Sequence, residues 1–350
     1  MNRINGNIDT EIFQKAVEAF RKNAPDKAKI KVLKAETKPL VAGLRPDYLL
    51  TIIIEGREFR YYAGIKTAVT KTNRLLLLMG REHLQHPLLV VAKYINPQMA
   101  EQLRMDGLEF IDTVGNAFLN QPPLYVFIKG NRLPQRHRDV QTKRAFKATG
   151  LRLIFTFLCN PGLENRTFRE IAATAGVALG TVDWIIRELK ELGYLLDMGK
   201  EGYRLIKKDI LLQRWVTAYP EQLRPRQMLG RYRGEHGWWQ RKNMDPIKAQ
   251  WGGEVAAARM TDYLNPQVVT IYTTTLALNP LLIENRLRKD AEGYVEILER
   301  FWKPDEQRPD GELVHPILVY ADLLATGDQR NIETARMIYE QHILRLVREN

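Results

Sequence analysis

The sequence predicts a multidomain α+β protein, three α/β parts on one chain, and three observations carry that expectation. Its 350 residues suffice for two or three domains of ordinary size, and 45% of them are hydrophobic, so cores are easily built. Short β-rich runs alternate with helix-period segments in the first third and again in the last third. Between these stretches, residues 167–205 pass from helix to turn to helix to hairpin.

Residues 1–130 form the first part. Residues 11–21 place Phe13, Ala16, Val17 and Phe20 on one helical stripe, ahead of the polar break at residues 22–26. Residues 29–33, 48–54 and 59–65 read as strands, 74–79 as helix, 88–94 as a buried strand, 97–104 as helix and 109–112 as a closing strand. Residues 107–119 are a strand entering a glycine turn, whose polar members Asp112 and Asn116 suit either an Asx turn or a binding role. The element order resembles the core of restriction-endonuclease-like nucleases, where an aspartate on one strand and a (D/E)xK triplet on the next hold Mg²⁺. Asp47 opens the first of these strands and Lys66 ends the second, but Gly64 stands where the second metal carboxylate belongs. We therefore expect a degenerate fold of this kind that neither holds metal nor cleaves. Glu55 and Glu58, in the intervening turn, would need a rearranged hairpin to take over.

Residues 131–147 form a basic linker in which Arg132, Arg136, Arg138, Lys143, Arg144 and Lys147 face only Asp139. The run reads as a phosphate-tracking arm or as a solvated tether. Residues 148–210 form the central domain. Thr167 and Glu170 make a capping box ahead of Ile171, Ala172 and Ala175, and Gly176 stops that helix. Thr181 then opens a second helix with Val182, Ile185, Ile186 and Leu189 as its buried stripe. Its free face is expected to carry Thr181, Asp183, Trp184, Arg187, Glu188 and Lys190. Residues 194–196 and 203–205 are strands around a glycine-bounded tip bearing Lys200. This is the pattern of a winged helix-turn-helix, whose second helix enters the major groove while the wing lies along the backbone. Thr181 and Arg187 are the leading candidate contacts, joined by Thr167, Trp184, Lys190, Lys200, Arg136, Arg138, Lys143 and Arg144. A scaffold or dimerisation unit is the competing reading, and the carboxylates of Asp183 and Glu188 favour it because they repel phosphate.

Residues 211–243 read as a basic aromatic linker, with Arg224, Arg226, Arg231, Arg233, Arg241 and Lys242 interleaved with Tyr232, Trp238 and Trp239. Residues 244–350 form a further α/β domain: Gly252-Gly253 before a helix at 254–263, a β-rich run at 268–275, a strand at 294–302, a charged loop at 304–311, and helices at 316–324 and 332–347. The glycine pair and Asp262 faintly resemble polymerase-β-like nucleotidyltransferases, but Leu264 stands where a second metal-binding acid is required, so catalysis is not expected.

The net charge of +12 suits nucleic acid or acidic partners. Cys159, the only cysteine, excludes an internal disulfide or a cysteine-built zinc site and reads as a core thiol. No apolar run reaches the length of a membrane span and no signal core is visible, so a cytoplasmic protein is expected.

Four blocks together resemble the AbiEi-type antitoxin regulators of bacterial type IV toxin-antitoxin systems: residues 107–119, residues 167–205, Gly253-Glu254 with Ala256-Ala257, and residues 315–328. The resemblance implies a DNA-binding autorepressor that opposes a nucleotidyltransferase-like toxin without forming a stable complex with it. One departure is visible: the best-known members carry the winged helix at the N-terminus, and here it is central. The sequence reading is thus a non-enzymatic regulator without cofactor that binds double-stranded DNA, as a homodimer where the operator is palindromic. Its rivals are a Mg²⁺-dependent nuclease using Asp47 and Lys66, and an interaction component of a defence system.

Overall fold

A computed structural model describes residues 5–23, 29–34, 46–54, 56–81, 84–132, 144–240, 242–245, 248–303 and 311–348. These fall into two compact units, Met1–Gln141 and Thr142–Asn350.

The first unit runs α1 (Asn5–Asn23), β1 (Lys29–Lys34), β2 (Tyr48–Ile54), β3 (Arg57–Lys66), α2 (Lys71–Arg81), β4 (Leu88–Ala92), α3 (Pro97–Met105), β5 (Glu109–Asp112), β6 (Ala117–Gln121) and β7 (Leu124–Ile128). Its seven strands lie side by side in chain order. The centre is parallel, β3 to β4 to β5, with α2 and α3 as crossovers, and the pairs outside it are antiparallel. A strand sends successive side chains to opposite faces. In β4, Leu89 and Val91 join Phe13, Ala16, Val17 and Phe20 of α1, whereas Leu88, Val90 and Ala92 join Leu77 of α2 and Ala100 and Leu103 of α3. The sheet is covered on both sides. That explains why β4 has no polar residue, and each large apolar side chain buried there contributes about 1.5–3 kcal/mol.

Asp112 is structural. It is fully buried, its Oδ1 accepts from the amides of Val114 (3.0 Å) and Asn116 (2.9 Å), and its Oδ2 accepts from Ile95 N (3.0 Å) and Asn116 Nδ2 (2.7 Å). Asn116 Oδ1 in turn accepts from Asn131 N at 2.9 Å. Of the two readings of this turn, the geometry selects the Asx turn. Buried Glu109 is likewise held by Tyr61 Oη and Asn120 N, both at 2.8 Å, with burial pushing its carboxyl above the ordinary range.

The second unit opens with a single helical turn at Arg144–Phe146. It continues through α4 (Ala148–Cys159), α5 (Phe168–Ala175), α6 (Leu179–Glu191), β8 (Leu195–Asp197), β9 (Tyr203–Leu205), α7 (Lys208–Gln222), α8 (Arg224–Gln227) and β10 (Met228–Arg233). It closes with β11 (Ala249–Gly252), α9 (Gly253–Thr261), β12 (Val269–Thr273), α10 (Thr275–Glu284), β13 (Arg288–Lys289), β14 (Val295–Glu299), α11 (Pro316–Thr326), α12 (Gln329–Ile338) and α13 (Leu344–Val347), a π-helical turn at Tyr339–Ile343 joining the last two. The strands make a hairpin, β8 with β9, and a five-stranded sheet ordered β11-β12-β14-β10-β13.

Residues 211–243, expected as a linker, hold most of α7 together with α8 and β10, and the larger sheet takes its fourth strand from them. The physical reason lies in Leu211, Leu212, Trp215, Val216 and Tyr219, which are all buried: the basic residues interrupt a core-forming segment. Further elements went unassigned in the sequence: β6 and β7, the latter a short run behind Pro122-Pro123, the short strands β11 and β13, and α10, whose apolar residues gave no helical stripe. The charged loop expected at 304–311 lies, up to residue 310, outside the described residues.

Candidate nucleic-acid interface

The candidate interface is built on α4, α5, α6 and the β8–β9 hairpin. Thr167 caps α5: its Oγ1 accepts from Glu170 N (3.3 Å) and donates to Glu170 Oε2 (2.7 Å), which also accepts from Thr167 N (2.9 Å). This reciprocal box holds the Glu170 carboxyl below its ordinary range. Gly176, at φ 61°, closes the helix in the left-handed region, where an L side chain is disfavoured. A Cβ there would also meet the Phe301 carbonyl oxygen at 3.3 Å.

Helix α6 starts two residues earlier than expected. Ala178 occupies the cap position in extended backbone without a side-chain bond, and Thr181 N donates to Ala178 O at 2.9 Å. Thr181 is therefore a residue of the first turn and not the residue that opens the helix. Val182, Ile185, Ile186 and Leu189 are buried as expected. Glu188 is a correction: it is not on the free face but buried, where its Oε2 accepts from Ala145 N at 2.8 Å and ties α6 to the turn before α4. A carboxylate held there cannot repel phosphate at the helix surface.

The outer face of α6 carries Asp183, Trp184, Arg187 and Lys190, and their charges are largely matched within the protein. Arg187 forks onto Asp183 (Nε to Oδ1 3.2 Å, Nη2 to Oδ2 2.9 Å). Arg144 lies over the Trp184 ring, 5.0 Å from its centroid. Lys190 donates to Asp197 Oδ2 at 2.7 Å and sits over Tyr203, which pins α6 to the hairpin and raises the ammonium's pKa while lowering that of the carboxyl. Lys200 is exposed on the tip, where Gly199 N donates to Asp197 Oδ1 at 3.0 Å. Arg136, Arg138 and Lys143 lie outside the described residues.

Sequence reasoning missed Asn165, which clamps the hairpin to the start of α5. Its Oδ1 accepts from Tyr203 N (2.6 Å) and its Nδ2 donates to Tyr203 O (2.8 Å). The clamp needs Gly202, because a Cβ there would stand 2.2 Å from Asn165 Oδ1. It ties the hairpin strand that carries exposed Arg204 to the segment entering α5, where Arg166 and Arg169 are exposed. The available signal was electrostatic: Arg166, just before the cap, and Arg169, in the first turn, add cations at the end of the helix that favours anions.

The second basic flank is not a phosphate surface of the kind expected. Arg224 is spanned by Asp322 (Nε to Oδ1 3.0 Å) and Glu296 (Nη2 to Oε2 2.7 Å), and Arg231 also binds Glu296 (Nη2 to Oε1 2.5 Å). Arg233 pairs with Asp290 and Lys242 with Glu284, both at 2.6 Å, while Tyr232 is buried and Trp238 packs on Trp251. Arg241 lies outside the described residues. Burial opposes the charges of Arg224 and Glu296, yet Asp322 foremost keeps Arg224 ionised, with Glu296 adding to it, and Arg224 with Arg231 keeps Glu296 ionised.

Asp322 is the centre of a buried network. Its Oδ1 accepts from Tyr219 Oη (2.9 Å), Tyr272 Oη (3.0 Å) and Arg224 Nε, its Oδ2 accepts from Tyr272 Oη (2.8 Å), and the two tyrosine oxygens are 2.6 Å apart. Trp215 stacks between Tyr219 and Phe155 and donates from Nε1 to Leu151 O at 2.8 Å. Through these contacts α7 fastens the α4–α6 helices to the five-stranded sheet. At the glycine pair, a Cβ on Gly252 would lie 2.5 Å from the Tyr272 ring and one on Gly253 2.5 Å from Thr270 Oγ1. Glu254 is buried and accepts from Gln267 N (2.6 Å) and Asn331 Nδ2 (2.8 Å), while Asp262 is an exposed helix-end residue. The glycines thus serve close packing.

His315 caps α11, its Nδ1 accepting from Ile317 N at 3.2 Å, and burial pushes its pKa down to about 4. A folded-state value below the unfolded one means that the unfolded chain takes up the proton first. Stability from this group is full above pH about 6.5 and falls as pH drops towards 4. We expect on the order of 2–3 kcal/mol to be lost across that window, and urea melts of His315→Asn, which keeps a cap acceptor, to show a flatter dependence. Parallel curves for the two proteins would remove His315 as the cause.

In the first unit, Asp47 Oδ2 accepts from Ile65 N and Asp47 N donates to Ala63 O, both at 2.8 Å. Lys66 is half-buried, and its desolvation pushes its pKa down against the opposing charges of Asp47 and of Asp9 from α1. Glu58 pairs with Arg60 and Glu55 lies outside the described residues. No three metal-binding side chains of His, Cys, Asp or Glu gather among the described residues, and no described helix is long and apolar enough to cross a membrane.

The described chain is a mixed α/β protein whose second unit joins the α4–α6 helices and the β8–β9 hairpin to a sheet packed on the Asp322 network. Residues 204–344 match the family model described as transcriptional regulator, AbiEi antitoxin, type IV TA system. The match includes Gly253-Glu254, Ala256-Ala257 and the block at 315–328, and the blocks at 107–119 and, apart from its last two residues, 167–205 lie outside it. No curated protein and no solved structure matches the chain.

Proposed function

We propose that the chain is a cytoplasmic transcriptional autorepressor and the antitoxin of a type IV toxin-antitoxin system, reading operator DNA through α6 and the β8–β9 hairpin as a winged helix-turn-helix. The observation that carries this reading is the Asn165 clamp, which ties the hairpin bearing exposed Arg204 and Lys200 to the start of α5, where Arg166 and Arg169 are exposed. Backbone phosphates are the anions such a group would receive, and they fix register while α6 reads base edges. Thr167, Thr181, Trp184, Lys190 and Arg144 belong to the proposed contact set, and Arg136, Arg138 and Lys143 are proposed as phosphate contacts of the arm. The toxin is a functional partner, a nucleotidyltransferase-like enzyme opposed without a stable complex, and a palindromic operator would be bound by a homodimer. On this reading the first unit is a degenerate restriction-endonuclease-like domain and the protein is not an enzyme.

A mobility-shift titration on the region upstream of its own gene, against scrambled DNA of equal length, tests the proposal. Arg187→Ala should weaken binding to the preferred fragment by about 1–3 kcal/mol while changing scrambled binding much less. Equal loss on both fragments would make Arg187 a phosphate contact.

The charges of Asp9 and Asp47, both acting on Lys66, favour a second reading, a Mg²⁺-dependent nuclease. Incubating plasmid with the protein and Mg²⁺ or Mn²⁺ decides between them: we expect no nicking, and nicking abolished by Asp47→Asn would establish the nuclease.

A further inference from the structure

We propose that Asp183 is a specificity-determining residue of the reader helix, acting with Arg187 as a two-residue reader of a G·C base pair. This rests on the DNA-reading function proposed above. The two side chains are one helical turn apart and form a two-point ion pair, yet they remain 73% (Arg187) and 44% (Asp183) exposed. An exposed pair of this spacing is weak, so an external ligand with a suitable edge can open it. A phosphate approaching Arg187 must also approach the Asp183 carboxylate and is repelled by it. A G·C edge meets no such repulsion: guanine O6 and N7 accept from the two donors that Asp183 now occupies, and the cytosine amino group donates to a carboxylate. Asp183 therefore penalises non-specific binding and contributes a base contact of its own. Glu188 is turned inward onto Ala145 and exposed Glu191 lies one turn beyond Arg187, so Asp183 is the α6 carboxylate that the structure pairs with Arg187.

The test is a double-mutant cycle, Asp183→Asn and Arg187→Ala, titrated over a salt series on the upstream and scrambled fragments. Because the pair is exposed, unfolding temperatures should be unchanged. Asp183→Asn should tighten scrambled binding about three- to tenfold at physiological salt and steepen the salt dependence by about one phosphate contact. It should also shrink the preference for the upstream fragment by about tenfold. In the Arg187→Ala background the same substitution should lower that preference by a smaller factor, about threefold, because only the cytosine contact of Asp183 remains. A wild-type protein that prefers the upstream fragment, with preference and salt slope unmoved by Asp183→Asn, would overturn the role of Asp183 and leave the reader helix standing. Equal weak wild-type binding to both fragments would instead overturn the DNA-reading function itself.

Discussion

Replacing Asp322 with alanine is expected to lower the unfolding free energy of the second unit by about 3–5 kcal/mol. The carboxylate accepts from Tyr219, Tyr272 and Arg224 and is itself only 2% exposed. Removing it leaves a buried guanidinium with Glu296 alone and two phenols with only each other. The loss comes from those stranded partners more than from the bonds themselves, because a buried donor without an acceptor bears its full desolvation cost. Urea denaturation of Asp322→Ala, Arg224→Ala and the double variant checks this. The second substitution should cost at least about 1 kcal/mol less when Asp322 is already gone. Additive losses would mean that the two groups do not act as a pair.

Trp215→Ala is expected to cost a similar amount, about 3–5 kcal/mol, by a different route. The ring is completely buried, lies 5.3 Å from Phe155 and 5.0 Å from Tyr219, and donates to a carbonyl of α4. Its loss opens a cavity between α4 and α7. We expect DNA binding to fall only as far as the folded fraction falls, which circular dichroism and mobility shifts on the same samples would reveal. Trp215→Phe, which keeps an aromatic ring but loses the donor, should recover most of the stability. A loss below about 1 kcal/mol in the alanine variant would show that the neighbouring rings close the gap.

Much of the architecture was legible because it follows from periodicity. The stripe of α1, the alternation in β3, the capping box at Thr167 and the buried side of α6 are each determined within a dozen residues of sequence, and all are found. What the sequence concealed is long-range pairing. Glu188 looks like a surface residue until Ala145, 43 residues away, is seen to donate to it. Arg224 reads as linker charge until Asp322, 98 residues on, and Glu296, 72 residues on, are brought to it. The candidate site shows the same division. Helix spacing puts Asp183, Trp184, Arg187 and Lys190 on one face, but nothing local shows that Asp197 holds Lys190 or that Asn165 aligns the hairpin with Arg166 and Arg169.

The strict chain-order pairing of the first sheet bears on how the protein is made. Each of its seven strands needs only its immediate predecessor, so it can assemble progressively as the chain leaves the ribosome. The second sheet has no such liberty: β10 must wait, unpaired on both edges, until β13 and β14 have been synthesised some sixty residues later. Synthesis therefore imposes a sequence of events in which the first unit is complete while Tyr232 and the Arg224 region are still unsheltered. That interval is the stage at which a nascent chain of this kind depends most on chaperones.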